Sequence, residues 1–141
     1  MERDILKFSV EGIGEFEVYA EPTIREEQQI ENLVADIYGG RERYNETRLQ
    51  IEELSEKLED VKEIDDSNKH EFILLVSSKN SLEKLHKLAN LKILGIKLPI
   101  DVERLTEKKF KSVERAYEVS LNEFFQNIEK EEVTESNQGI P

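Results

Sequence analysis

The chain has 141 residues with 20 Lys plus Arg against 32 Asp plus Glu, a net charge of −12. That length suits one domain, and a field this acidic repels phosphate backbones and argues against nucleic-acid binding. Cysteine is absent, which removes disulfides, thiolate metal sites and a Cys nucleophile from consideration.

At the N-terminus, Met-Glu-Arg-Asp offers neither a basic n-region nor an apolar h-region, so no signal peptide is expected. No apolar run approaches the ~18 residues that a membrane span needs. Leu6, Phe8 and Val10 alternate with polar residues, and Phe16, Val18 and Ala20 repeat the pattern after Glu11-Gly12-Ile13-Gly14. Period-two alternation around a Gly-containing turn predicts a β-hairpin over residues 1–20. Leu6, Phe8, Val10, Phe16 and Val18 fall on its apolar face, while Lys7, Ser9, Glu15 and Glu17 fall on its wet face.

Pro22 stops the second strand. Thr23 followed by Glu26 has the spacing of a capping box, and Glu26 and Glu27 complement the helix dipole. Ile30, Leu33, Val34 and Ile37 lie on one helical stripe that ends at Gly39-Gly40. Ile51, Leu54, Leu58 and Val61 predict a second amphipathic helix over roughly 46–62, and Ile64 to Asn68 reads as a loop. Phe72-Ile73-Leu74-Leu75-Val76 is a continuous apolar run that fits either a buried strand or a buried helical turn. Asn80 and Glu83 repeat the capping spacing ahead of a short helix with Leu82, Leu85, Leu88 and Ala89. Leu91 to Leu98 is expected as a strand ending at Pro99. Phe110, Val113, Tyr117, Leu121, Phe124 and Ile128 predict a long amphipathic helix over roughly 104–130. Residues 131–141 are expected as a flexible acidic and polar tail. The fold class is therefore α+β, mainly helical: one domain over 1–130, mostly helical from residue 23, with at most one or two further short strands.

Catalytic hardware is not visible. His70 and His86 share no ligand spacing and read as surface histidines on Lys-rich segments. Asp65-Asp66-Ser67 hints at a calcium loop, but the positions needing Gly and Glu hold His70 and Val76. Gly12-Ile13-Gly14 lacks the third glycine of a dinucleotide fingerprint and lies in a hairpin. The abundant Glu pairs read as solvated helix faces. No cofactor and no metal are expected, and the expected function is binding rather than catalysis.

The hairpin, the Pro22-Thr23-x-x-Glu26 helix start, the Ile30-Glu31 pair and the Gly39-Gly40 stop together resemble the tail assembly chaperones of long-tailed phages and prophages. The resemblance covers the first forty residues. It implies a non-enzymatic protein that coats the phage tape measure protein and helps recruit tail tube protein. Such a protein works in the bacterial host cytoplasm and is missing from the mature virion. It implies the short member of a pair of products made by frameshifting. Either Ile30, Leu33, Val34 and Ile37, or Phe110, Tyr117, Leu121 and Phe124, would then touch the partner, although both stripes equally suit a core. A homo-oligomer is compatible with the sequence. The rival readings are a virion structural protein such as a tail completion or connector subunit, an unrelated cytosolic adaptor, and an enzyme or regulator whose site the sequence hides.

Overall fold

The computed structural model describes the backbone of residues 2–138 and the side chains of residues 2–129. Its elements run β1 (Ile5–Val10), β2 (Gly14–Tyr19), α1 (Ile24–Tyr38), α2 (Arg41–Leu58), α3 (Lys69–Leu94), β3 (Gly95–Lys97) and α4 (Glu107–Gln138). The fold is α+β and mainly helical, with an N-terminal antiparallel hairpin. The chain gathers into two compact units, residues 1–23 with 91–141 and residues 24–90.

In the first unit the sheet order is β1-β2-β3, antiparallel throughout. Phe8 pairs with Phe16 and Leu6 with Val18, so the expected apolar face forms in the expected register. Leu6, Val10, Phe16 and Val18 are buried, and Lys7, Ser9 and Glu15 are exposed. Helix α4 covers this face, burying Phe110, Val113 and Tyr117 on one stripe. Phe8 stacks on Phe16 at 5.0 Å and on Tyr117 at 5.9 Å between ring centroids. Helix α4 starts later than expected, because the Thr106 hydroxyl accepts from the Lys109 N–H at 3.3 Å and so caps it. It also runs further. Residues 131–138, expected in the tail, have helical backbone, since the segment holds neither Gly nor Pro before Gly139. The rest of that tail, 139–141, lies outside the described residues.

In the second unit α1 ends in a Schellman motif. The Gly40 N–H bonds the Ala35 carbonyl at 2.8 Å and the Gly39 N–H bonds the Asp36 carbonyl at 3.3 Å. Both glycines have positive φ, 119° and 112°, as the expected Gly-Gly stop requires. Helix α2 follows at once, five residues before its expected start. Helices α2 and α3 run antiparallel, since Tyr44 meets His86 and Lys57 meets Glu71. The loop between them is pinned by its own side chains. Asp65 Oδ1 accepts from the Ser67 N–H at 2.8 Å and from the Ser67 hydroxyl, and Asn68 Oδ1 accepts from the Asp65 N–H at 2.8 Å.

Residues 72–76 are helical, which resolves the ambiguity of that run. Helix α3 is 26 residues long because nothing breaks it between Lys69 and Gly95, and it buries Leu75, Leu82 and Ala89 at two-turn intervals. The strand expected over Leu91–Leu98 is consequently cut to three residues, Gly95–Lys97, with Leu91 to Leu94 in the helix. At Gly95 a Cβ would lie 2.5 Å from the Leu91 carbonyl oxygen, so this glycine marks where the helix gives way to β3.

Gly14 has φ of 134°, and a Cβ there would sit 2.8 Å from Pro99 Cβ. Gly14→Ala should therefore cost about 1–3 kcal/mol in urea unfolding, through strain and through displacement of the loop after β3. The acid limb of stability is a second expectation. Hydrogen bonds from Ser67 hold the Asp65 carboxyl below its ordinary range, and the hydrogen bond and charge of Lys57 do the same for Glu71. Depressed carboxylates stabilise the fold above their unfolded pKa and lose that contribution as pH falls. The Asp65→Ala/Glu71→Gln double variant should show a shallower decline of thermal midpoint below the ordinary carboxylate range than the parent.

Candidate functional site

A dense polar arrangement lies in the second unit, where α1 meets α2. Tyr44 is buried to 1% exposure, and its hydroxyl donates to Glu31 Oε1 at 3.0 Å. The Tyr44 hydroxyl oxygen itself lies 3.4 Å from His86 Nε2 on α3, where an Nε2–H can donate to it. Arg48 completes the cluster, its guanidinium 2.9 Å from the same Glu31 oxygen and 5.5 Å from the Tyr44 ring centroid. Arg41 lies 5.8 Å from that ring and bonds Asn32, which also accepts from Gln28 at 3.2 Å. Tyr38 meets Tyr44 edge-on at 6.4 Å, accepts from the Thr47 hydroxyl at 2.9 Å and carries Arg43 5.5 Å from its ring.

Burial first, and then the hydrogen bond and charge of Glu31, push the Tyr44 hydroxyl above its ordinary pKa, against a lowering by Arg48 and Arg41. A phenol so placed stays protonated at neutral pH and keeps donating to Glu31. Both ends of the Glu31–Tyr44 pair are thus occupied by neighbouring side chains, and the arrangement works as a clamp between α1, α2 and α3. His86, read from the sequence as a surface residue, is half-buried and part of it, whereas His70 is exposed. Among the described residues no group of three or more His, Cys, Asp or Glu side chains could hold a metal ion.

Half of the residues expected to touch a partner are buried in the core. In the second unit Ile30 and Val34 are buried, Leu33 is half-buried, and only Ile37 reaches the surface, at 37%. In the first unit Phe110 and Tyr117 are buried, and Leu121 and Phe124 are half-buried. A perfect helical stripe identifies the face a helix buries, which is why it selects the residues least available to another chain. Many of the exposed large apolar residues lie outside those stripes. On α3, Phe72, Ile73 and Val76 stand exposed at 40%, 53% and 39%. Among the described residues of α4 the exposed ones are Val119 and Phe125, at 51% and 45%.

The first unit also has a shallow groove of about 490 Å³ between β1 and α4. Residues 7–11 form one wall, and Ser112, Arg115, Ala116, Val119, Ser120 and Glu123 form the other. Among the described residues no helix is long and apolar enough to cross a membrane. No family model, no curated protein and no solved structure matches the chain.

The clamp was not anticipated, yet a signal for it exists in the sequence: Tyr38, Arg41, Arg43, Tyr44 and Arg48 crowd basic and aromatic residues into a segment otherwise rich in Glu. Tyr44→Phe should lower stability by about 0.5–1.5 kcal/mol, the range for one hydrogen bond. Tyr44→Ala should cost about 3–5 kcal/mol through the cavity it leaves. Equal losses in the two variants, measured by urea unfolding, would show that the hydroxyl carries the whole contribution of Tyr44.

Proposed function

We propose that the protein is a non-enzymatic binding protein with the role of a phage tail assembly chaperone, engaging the tape measure protein and helping to recruit tail tube subunits. The observation that carries this reading is the apolar row Phe72, Ile73 and Val76 on α3. These three positions fall within roughly 100° of the helix circumference, the width of a face that receives another amphipathic helix. Such a face suits a long helical partner that would otherwise expose its own apolar stripe. A net charge of −12 keeps the complex in solution while the faces are joined. The resemblance of the N-terminal forty residues to tail assembly chaperones supplies the identity of that partner. The proposed site of action is the host cytoplasm before tail completion, with the protein absent from the mature particle.

Co-expression with the tape measure protein tests the reading directly. The wild-type chain should raise the soluble fraction of tape measure protein and co-purify with it. Ile73→Ser combined with Val76→Ser should weaken that effect by about tenfold while the thermal midpoint stays near the parent value, because surface substitutions usually change stability by about 0.5 kcal/mol or less. Tape measure solubility that is the same with and without the chain would refute the proposal.

A further inference from the structure

Strand β1 is an edge of the sheet, and the direction of its outward backbone groups can be worked out. The Ala20 N–H donates to the Asp4 carbonyl at 3.0 Å, and these residues continue the β1–β2 register by one pair. Hydrogen-bonded pairs alternate along an antiparallel ladder, so Leu6, Phe8 and Val10 turn their backbone groups toward β2. Ile5, Lys7 and Ser9 therefore turn theirs outward. No strand pairs with that side among the described residues. Six residues without proline or bulge form an edge that invites another strand.

We propose that the strand received there is β1 of a second copy of this chain, in a two-fold dimer whose sheet continues across the subunits and whose α4 helices lie antiparallel over it. Local charge complementarity fits this occupant in a register centred on Ser9. A dyad through Lys7 would set lysine against lysine. A dyad through Ser9 sets Ser9 against its own copy, Phe8 against the partner's Val10, and Lys7 against the partner's Glu11. The outward-pointing groups of Ser9 then form the central hydrogen-bonded pair. Lys7 already lies 3.5 Å from Glu17 across the hairpin, and in the dimer its ammonium would sit between two carboxylates.

Helix α4 is self-complementary about the same axis. Arg115 and Glu123 lie four residues to either side of Val119, and all three line the groove whose strand wall, residues 7–11, is centred on Ser9. An antiparallel pair of α4 helices crossing at Val119 sets each Arg115 against the partner's Glu123, twice by symmetry. It also covers Val119, which stands 51% exposed in the single chain. Ser112, Ala116 and Ser120, four residues apart on this wall, are small enough to let the helices approach closely. Strand and helix thus specify one isologous interface, in which each patch meets its own copy.

The test is sedimentation equilibrium of the full chain and its variants across the micromolar range. The wild type should be a dimer. Ser9→Pro removes an outward N–H while leaving the β1–β2 ladder bonds intact, and it should give a folded monomer by circular dichroism. Arg115→Glu sets Glu against Glu twice and should raise the dimer Kd about tenfold or more. Arg115→Glu with Glu123→Arg should return it to within about threefold of the parent. The α3 surface takes no part, so Ile73→Ser should leave the dimer unchanged. A wild type that is monomeric throughout would overturn the proposal. So would a dimer that survives both Ser9→Pro and Arg115→Glu, or a double swap that fails to recover.

Discussion

Phe8 is the residue on which the first unit turns. Its ring lies nearly parallel to Phe16, its partner across the hairpin, and to Tyr117 on α4, with interplanar angles of 5° and 9°. The hairpin by itself is two short strands, an arrangement with little independent stability in water. The stack joins the hairpin to a residue more than a hundred positions away in the chain and gives the sheet the apolar cover it needs. Offset aromatic pairs add about 0.5–1.5 kcal/mol each beyond their buried area. The stack also fixes which face of α4 turns inward, and therefore which residues, Arg115, Val119 and Glu123 among them, are left along the groove beside β1.

The second unit achieves order by different means. Its buried apolar residues are few, and the corner between α1 and α2 is held by an aromatic and ionic lattice around Tyr44. Three arginines within eight residues surround that ring and its neighbour Tyr38 in a chain that is otherwise strongly acidic. Their charge locally offsets the acidic surroundings, and their planar heads cover the aromatic faces that bulk apolar residues would cover elsewhere. The Schellman turn delivers Arg41 and Tyr44 to this position immediately after α1, with no linker that could relax the angle.

Legibility of the sequence followed the strength of its periodicity. The hairpin register and the buried face of α4 were readable because Leu6, Phe8, Phe16, Val18, Phe110, Val113 and Tyr117 keep strict spacing over several repeats. The end of α1 was readable because a Gly-Gly pair has few other uses. Phe72 to Val76 was not, since five consecutive apolar residues have no period; the unbroken helix formers that follow them decided the outcome. That same continuity consumed half of the segment expected as a strand before Pro99. The candidate surfaces were the least legible part. Regular stripes such as Ile30 and Val34 marked the core, and the exposed Ile73 and Val119 belong to no stripe that periodicity would single out. The clamp at Tyr44 depends on Glu31, Arg48 and His86 converging from three helices, a placement that no local spacing encodes.

The chain has no tryptophan and four tyrosines, of which Tyr44 and Tyr117 are almost completely buried, one in each unit. With no indole to dominate the near-ultraviolet signal, the two phenols become built-in labels. Tyr44 sits against a carboxylate and beside guanidinium groups, whereas Tyr117 lies flat against a phenylalanine. Their environments differ enough that each should have its own spectral signature. Each unit thus contributes one deeply buried phenol to the near-ultraviolet signal, beside the half-buried Tyr19 and Tyr38.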